Sequence, residues 1–218
     1  MSGIPQMRQI SDIISEQSRF KLARYIAVKE LSLLYERAYT ELGRSAAMIF
    51  YIHQLMLDDE TFTDSVCSII EGKKVNAEYA VYETCRMLAN VFKDLDSGYM
   101  RERHADIYDV SERVIAILQN ESQSFPTIKT PSILICRELS PSEILLPPHG
   151  MITGLVMTHG DPDSHASILA KKMQIPTLCH LGEDFEFPQD GTPAFLDADN
   201  CELYIDPDKG ILEKFGIK

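Results

Sequence analysis

A single histidine stands where a loop is predicted to meet a helix. His165 follows the run Gly-Asp-Pro-Asp-Ser, and good helix formers continue from Ala166 to Met173 until Pro176 ends the helix. Ser164 is a typical N-cap residue, so His165 is expected in the first helical turn. Unpaired backbone N–H groups and the positive end of the helix dipole favour an anion there. The pattern suits a histidine that carries a phosphoryl group, and the simpler alternative is a surface or capping histidine.

The same stretch alternates side chains of the kind that bind metals. His159, Asp161, Asp163 and His165 faintly resemble the strand-end signature of metallo-β-lactamase-type hydrolases. That signature needs a histidine where Asp161 stands and another directly after Asp163, where Ser164 stands instead. Because two positions fail, the sequence predicts no metal site here.

Composition and charge limit the classes of partner. The 218 residues can form one large domain or two small ones, and the net charge of −12 favours a partner with a basic face over nucleic acid or an anionic membrane. Five cysteines lack CxxC spacing, and no charged-then-apolar leader opens the chain, which together predict a cytoplasmic protein. No apolar run approaches the roughly 20 residues that cross a bilayer.

Residues 10–119 have a helical pattern, with apolar residues recurring every three or four positions. We predict at least four helices there. Gly43 separates the first two, Ser65 to Gly72 runs into a turn, Asn76 caps a helix that continues through Lys93, and Asp96-Ser-Gly98 opens the last.

The pattern changes after residue 119, because prolines interrupt any long helix. Residues 120–131 are predicted to be a linker and 132–218 an α/β domain. Short apolar runs predict its strands: Ser132–Cys136, Gly150–Met157, Thr177–Cys179, Pro193–Leu196 and Cys201–Ile205.

Three motifs follow one another in the second region. They are Leu139-Ser-Pro-Ser-Glu143, then Ser164-His-Ala-Ser-Ile-Leu-Ala170 with Ile175-Pro176, and last Leu196-Asp-Ala-Asp-Asn200 leading to Tyr204-Ile-Asp-Pro207. This region resembles the phosphohistidine, or swivelling, domain of phosphoenolpyruvate-utilising enzymes, and within that group enzyme I of the bacterial sugar phosphotransferase system. Compared with that family, the chain is expected to be a fragment trimmed at both ends, without the first strand and the carboxy-terminal barrel.

The helical region carries a second set of matches. Ile49-Phe50, His53, Met56-Leu57 and Asp59, followed by Tyr99 to Asp109, resemble the family's helical insert that docks the carrier protein HPr. The resemblance implies an α/β phosphohistidine swivelling domain with an inserted or appended all-helical HPr-binding subdomain. It also implies partner-binding roles for His53, Met56, Leu57, Asp59 and Arg103. For the apolar residues the alternative is an ordinary core position, and for the acidic run Asp58 to Glu60 a solvated face.

The resemblance further implies that His165 takes a phosphoryl group from phosphoenolpyruvate and gives it to HPr. Ser140 would accept a hydrogen bond from the imidazole, or would only open the turn at Pro141. Gly160 would keep the approach open, with Ser164 and Lys171 beside the phosphate.

The family's phosphoenolpyruvate-binding barrel, with its magnesium, would be a further partner. The chain alone is then expected to need no cofactor, not to use phosphoenolpyruvate, and to be a monomer. Asp161, Pro162 and Asp163 depart from the family's glycine, arginine and threonine, which leaves a catalytically weakened carrier-binding or regulatory module as the alternative.

Overall fold

A computed structural model describes residues 4–93, 98–120, 128–182 and 184–216. The side chains of residues 91–104 lie outside that description, as does the segment 94–97, where the sequence predicted that Asp96 opens a helix. The described residues form two compact units, one on each side of the boundary between Phe125 and Pro126. None of the described helices is both long enough and apolar enough to cross a membrane.

The described residues of the first unit form five helices. They are α1 (Ile13–Leu42), α2 (Arg44–Asp58), α3 (Glu60–Lys73), α4 (Ala77–Lys93) and α5 (Gly98–Leu118). Gly43 separates α1 from α2 as predicted, and its φ of 86° is the left-handed region that suits glycine. Asp59 separates α2 from α3, because its carboxylate accepts the backbone N–H of Thr61 and so caps α3.

The core of this unit forms where apolar positions spaced three and four residues apart share one helix face. On α1 the buried residues are Phe20, Ala23, Ala27, Leu31, Leu34 and Ala38. Phe20 meets Phe62 of α3 with ring centroids 6.2 Å apart. The small alanines on α1 let the neighbouring helices approach closely.

Ion pairs also tie the helices of the first unit together. The Arg19 guanidinium lies 2.7 Å from Glu16 on its own helix and 2.7 Å from Glu78 on α4. It also donates to the backbone carbonyl of Leu118 at the end of α5. A second pair joins Arg113 to Glu30 at 2.7 Å. Apart from the Arg19–Glu16 pair, these contacts link residues far apart in the sequence, which periodicity alone could not predict.

The second unit is built from five strands and three short helices. In chain order they are β1 (Ser132–Cys136), α6 (Pro141–Ile144), β2 (Ile152–Met157), α7 (His165–Lys172), β3 (Thr177–Cys179), β4 (Ala194–Asp197), β5 (Glu202–Ile205) and α8 (Lys209–Lys214). All five predicted strands are present, two of them with the predicted bounds and three shifted by one or two residues.

A three-stranded parallel sheet has the order β1-β2-β3, and β4 and β5 form an antiparallel hairpin. The central strand β2 is buried along most of its length, as expected for a parallel strand with neighbours on both sides. The chain leaves the carboxyl end of β2 at Met157 and reaches His165 through a loop, so the sheet sets where α7 begins. Ligand-binding residues of parallel sheets commonly lie at this end of the strands.

Candidate functional site

Helix α7 begins at His165 because a serine caps it. Ser164 has extended backbone angles, and its Oγ accepts the backbone N–H of Ser167 at 3.2 Å. The side chain of His165 is half-buried in this first turn, and Ala166, Leu169 and Ala170 anchor α7 through its buried face. The predicted helix, its N-cap and the position of the histidine are confirmed.

A second serine fixes the loop that leads to the helix. The buried Ser167 Oγ donates to the backbone carbonyl of Asp161 at 2.7 Å and receives a hydrogen bond from Ser164 Oγ at 3.0 Å. The backbone N–H of Ser164 donates to the same carbonyl at 3.0 Å. Ser167 therefore ties the start of the loop to the first turn of α7, on both sides of His165. The Ser-His-Ala-Ser spacing was the available signal for this role, which the sequence analysis did not assign.

The two aspartates of the loop lie at the surface. Asp161 Oδ1 accepts the backbone N–H of Asp163 at 2.8 Å, and both side chains are exposed. The Asp161 carboxylate therefore stabilises the loop's own turn. Exposure also places both charges in solvent, where salt screens their repulsion of a bound anion.

Gly160 has a packing role that differs from the predicted one. A Cβ on this residue would lie 2.7 Å from Cβ and Cε of Met157 and 2.8 Å from its Sδ. Gly160 is thus required where the loop folds back over the last residue of β2. Its predicted role in keeping the approach to His165 open stays a prediction.

Ser140 and Glu143 form a capping box at the start of α6. Ser140 Oγ accepts the backbone N–H of Glu143 at 3.2 Å, and Glu143 Oε2 accepts the backbone N–H of Ser140 at 2.8 Å. This is the turn-opening alternative for Ser140, with Glu143 as a capping residue. Helix α6 packs against α7, and a further hydrogen bond between Ser140 and His165 stays a prediction.

Lys171 lies in the last turn of α7 and its side chain is exposed. It is about 9 Å from His165 along the helix axis at 1.5 Å per residue. Its predicted contribution to phosphate binding therefore requires a long side chain that folds back along the helix.

Two cysteines stand at the carboxyl ends of the outer strands β1 and β3. Burial raises the pKa of the Cys136 thiol to about 12. Burial also raises the pKa of the Cys179 thiol, partly opposed by its contact with Ser167 Oγ at 3.9 Å. Both thiols are therefore protonated at neutral pH and act as packing groups.

The predicted docking residues of the helical unit divide by burial. His53 and Leu57 are both fully buried, which is the core alternative for the apolar position of Leu57, and their partner-binding roles stay predictions. His53 Nε2 lies 3.1 Å from Asp106 Oδ1, and Nδ1 lies 3.4 Å from Asp109 Oδ2. The imidazole of His53 on α2 therefore connects α2 to α5 through Asp106 and Asp109.

The remaining docking candidates are at the surface or outside the description. Met56 is half-exposed, Leu55 is 52% exposed, and the acidic run from Asp58 to Glu60 is exposed. Asp59 also caps α3. The side chain of Arg103 lies outside the described residues.

Metal binding at the loop receives no support from the described side chains. Within the parts of the chain that the structure describes, no group of three or more histidine, cysteine, aspartate or glutamate side chains could hold a metal ion. The His159 Nδ1 lies 2.8 Å from Thr158 Oγ1, and Asp161 Oδ1 accepts the backbone N–H of Asp163 within the same loop.

Two family models match the chain, and they follow the two structural units. Residues 4–103 match the model for the amino-terminal region of PEP-utilising enzymes, and residues 128–201 match the model for their mobile domain. The mobile-domain match includes β1, β2, α7 and the loop that carries His165. The chain belongs to the family of phosphoenolpyruvate-utilising enzymes.

Within that family the chain is similar to enzyme I. It is 30% identical over 214 residues to the phosphoenolpyruvate-protein phosphotransferase of Priestia megaterium, covering 98% of this chain and 37% of the relative. The corresponding protein of Bacillus subtilis strain 168 is 32% identical over 214 residues, covering 98% of this chain and 38% of the relative.

A solved structure of Enzyme I (nEIt), determined by NMR, has the same fold. It superposes with a TM-score of 0.78 at 25% identity, covering 98% of this chain and 88% of that one. The predicted fold class, a phosphohistidine-type α/β unit with a helical subdomain, is confirmed. The chain spans little more than a third of the length of the curated relatives that it matches.

Proposed function

We propose that this chain accepts a phosphoryl group on His165 and passes it to a carrier protein, as one part of a phosphoenolpyruvate-protein phosphotransferase. The observation that carries the proposal is the position of His165, half-exposed in the first turn of α7 within a mobile domain of the family. Relatives that cover 98% of the chain are named for this transferase activity.

The transfer is a displacement at phosphorus. A neutral ring nitrogen of His165 attacks with its lone pair, a P–N bond forms, and the bond from phosphorus to the donor breaks with its electron pair leaving on the donor. In the reverse direction, the phosphoryl group leaves His165 for a histidine of the carrier. Each step exchanges one bond to phosphorus for another.

The start of α7 suits the phosphorylated state. The first-turn N–H groups and the positive end of the helix dipole favour an anion beside His165. Ser164 and Ser167 hold this turn in place without adding charge. Asp161 and Asp163 oppose the anion, but because both are exposed their repulsion is weak, about 1 kcal/mol per pair of unit charges at 4 Å in water.

The helical unit supplies a surface that fits an HPr-type carrier. Leu55 and Met56 offer apolar contact, and the exposed acidic run from Asp58 to Glu60 suits a basic partner. His53 and Leu57 would support this surface from beneath. Arg103 stays a proposed contact on the same helical unit.

Phosphoenolpyruvate itself would be bound, with magnesium, by a separate domain of the full enzyme. The chain alone would then exchange phosphate with the phosphorylated carrier and would not be labelled by phosphoenolpyruvate. Labelling of the purified chain by phosphoenolpyruvate alone would contradict the proposal that a separate domain binds phosphoenolpyruvate.

The test is incubation with a phosphorylated HPr-type carrier, followed by intact mass measurement under alkaline conditions that preserve phosphohistidine. We expect a gain of about 80 Da, one phosphoryl group, which disappears in His165→Ala and persists in His159→Ala. His159 is the matched control because it lies just before the same loop. Binding of the carrier without any mass gain would instead favour the regulatory alternative.

The surface is tested separately by Glu60→Lys, which reverses one charge of the acidic run. We expect a higher carrier concentration for half-maximal labelling, an unchanged maximal extent of labelling, and a weaker salt dependence. An unchanged concentration dependence would remove the acidic run from the docking surface.

A further inference from the structure

One side of α2 carries five residues at regular helical spacing. They are separated by four, three, four and three positions, and at 100° per residue their side chains fall within a sector of about 80°. We call these residues the α2 face: Arg44, Met48, Tyr51, Leu55 and Asp58. Arg44 and Asp58 are exposed, and Met48 is half-buried. Tyr51 and Leu55 are 45% and 52% exposed, so this side of the helix is accessible to a partner.

The two ends of the α2 face have opposite charge. Arg44 is the first residue of α2 and Asp58 is the last, about 21 Å away along the axis at 1.5 Å per residue. The acidic run continues from Asp58 to Glu60. The helix dipole adds positive charge at the Arg44 end and negative charge at the Asp58 end. Side chains and dipole therefore have the same sign at each end, and the middle of the face is uncharged.

Arg44 stands where the stability of the helix favours an acid. The first turns of α1, α3 and α4 contain Glu16, Glu60 and Glu78, whereas α2 has no acidic residue there and begins with a cation. The positive end of the helix dipole disfavours a cation at this position. An exposed residue that opposes local stability indicates a role in binding, because departures of this kind are concentrated at functional sites.

The middle of the α2 face suits contact with a protein. The ring of Tyr35 on α1 lies between two other tyrosines, with its centroid 6.3 Å from that of Tyr51 and 6.1 Å from that of Tyr39. Tyr51 and Leu55 are four residues apart, so their side chains are neighbours on the helix. Exposed tyrosines supply a large contact area at a low entropic cost and often dominate the energy of an interface.

We propose that the α2 face selects its carrier by the order of charges along it. This inference rests on the proposed function, in which the helical unit docks an HPr-type carrier. The carrier that fits presents an acidic side chain to Arg44, an apolar patch to Tyr51 and Leu55, and a basic side chain to the acidic run. A carrier whose whole contact face is basic places a cation against Arg44, and like charges brought together at an interface lower the affinity. Arg44 is then the residue that discriminates between carriers.

Binding to a set of HPr-type carrier variants tests the proposal. Each variant changes one basic surface residue of the carrier to glutamate, and calorimetric titration measures its dissociation constant for the wild-type chain and for Arg44→Glu. We expect one carrier position at which glutamate tightens binding to the wild-type chain by about twofold to fivefold and weakens binding to Arg44→Glu. A set in which every glutamate changes the affinity of both chains by the same factor would overturn the proposal.

Two controls separate the charge order from folding and from net charge. Because glutamate suits the first turn of a helix, Arg44→Glu should raise the midpoint of thermal unfolding by about 1–3 °C, so its changed carrier preference cannot come from unfolding. Lys29→Glu makes a charge change of the same size on the exposed surface of α1, about 20 Å along the axis from the carboxyl end of that helix. It should keep the carrier preference of the wild-type chain. The same change of preference in both variants would overturn the role of Arg44.

The apolar contact is tested by Tyr51→Ala. We expect binding of every carrier to weaken by about tenfold or more, whereas Tyr25→Ala, which removes a tyrosine that is 57% exposed on α1, should leave the affinity unchanged. Equal affinities of Tyr51→Ala and the wild-type chain would remove Tyr51 from the contact and overturn the proposed face.

Labelling of His165 by the phosphorylated carriers, measured in parallel, distinguishes this inference from the proposed function. Binding with the expected charge preference but without phosphoryl transfer would support the α2 face and contradict the transfer. Transfer from every carrier variant with the same concentration dependence would support the transfer and overturn the charge order. Absence of binding by all carriers would overturn both.

Discussion

The two units of this protein use the same side chain in opposite ways. In the helical unit His53 is fully buried, with a carboxylate facing each ring nitrogen. In the α/β unit His165 is half-exposed at the start of a short helix, within a loop held by serine hydroxyls. The first imidazole holds two helices together, whereas the second remains accessible to a reactant.

The two units also differ in where their described ion pairs lie. The described ion pairs of the chain lie in the helical unit, where Arg19, His53 and Arg113 each join different helices. In the loop before His165, the hydroxyls of Ser164 and Ser167 and the carboxylate of Asp161 bind backbone groups.

The largest expected effect separates the two histidines by stability. His53→Ala leaves the buried Asp106 without the imidazole that lies 3.1 Å from it, and breaking a buried pair in this way costs about 3–5 kcal/mol. His165→Ala should cost about 1 kcal/mol or less, as expected for a partly exposed side chain. Urea unfolding at neutral pH measures both. Equal losses in the two variants would show that burial does not distinguish the two roles.

The second effect concerns the close packing of Gly160 on Met157. Gly160→Ala places a methyl group within 2.8 Å of the Met157 side chain, and overpacking of this kind costs about 1–3 kcal/mol. Gly72→Ala is the matched control, because a Cβ on this helical glycine meets no atom within 4 Å, and it should stabilise the protein by about 0.5–1 kcal/mol. Thermal unfolding should therefore shift in opposite directions. A neutral Gly160→Ala would mean that the loop moves freely away from β2.

The sequence predicted the elements well where local signals are strong. Pro131 and Pro176 directly precede β1 and β3, which begin where expected, and Ser164 announced the first residue of α7. The buried face of α2 was harder to predict. A helix with apolar residues on several faces does not reveal which of them lie inside, so the sequence left Leu57 open between a contact position and a core position, and the structure buries it.

Other features depend on contacts that the sequence does not encode locally. Ser167 acts by reaching the carbonyl of Asp161 across a loop, and Arg19 meets Glu78 across 59 positions of sequence. Neither could be predicted from spacing without the three-dimensional fold. The capping role of Ser140 was one of two alternatives, and only the geometry of its hydroxyl showed that it forms a capping box.

A smaller loss of stability is expected when a hydroxyl that holds the loop before His165 is removed. Ser167→Ala removes the hydrogen bonds to Asp161 and Ser164, and a typical net loss is about 1 kcal/mol. We also expect slower labelling of His165, with Ser167→Thr restoring part of the rate because it keeps the hydroxyl. Ser65→Ala is the control, since its hydroxyl bonds only to its own helix at the surface. A labelling rate in Ser167→Ala equal to that of the wild-type chain would show that Ser167 does not position His165.

The smallest effect at neutral pH, and the one most specific to the helical unit, is a pH dependence carried by Glu78. Burial raises the pKa of this carboxyl, but hydrogen bonds from Arg19, its own backbone N–H and Asn76, with the Arg19 charge, outweigh burial and lower its pKa below 4.5. A lowered folded-state pKa gives stability that is fully present above the unfolded value and is lost as the pH falls through the folded value. Glu78→Gln should therefore be less stable than the wild-type chain at pH 7, and the gap should close progressively below about pH 4.5. Urea unfolding of both proteins across that range measures the gap. The unfolding is followed by far-UV circular dichroism because the helices dominate that signal.

Glu83→Gln is the control variant, since Glu83 is on the same helix and mostly buried beside Lys73 and Arg86. A gap that stays constant down to pH 3 would mean that the Glu78 charge contributes nothing and that its hydrogen bonds alone hold α4 against α1.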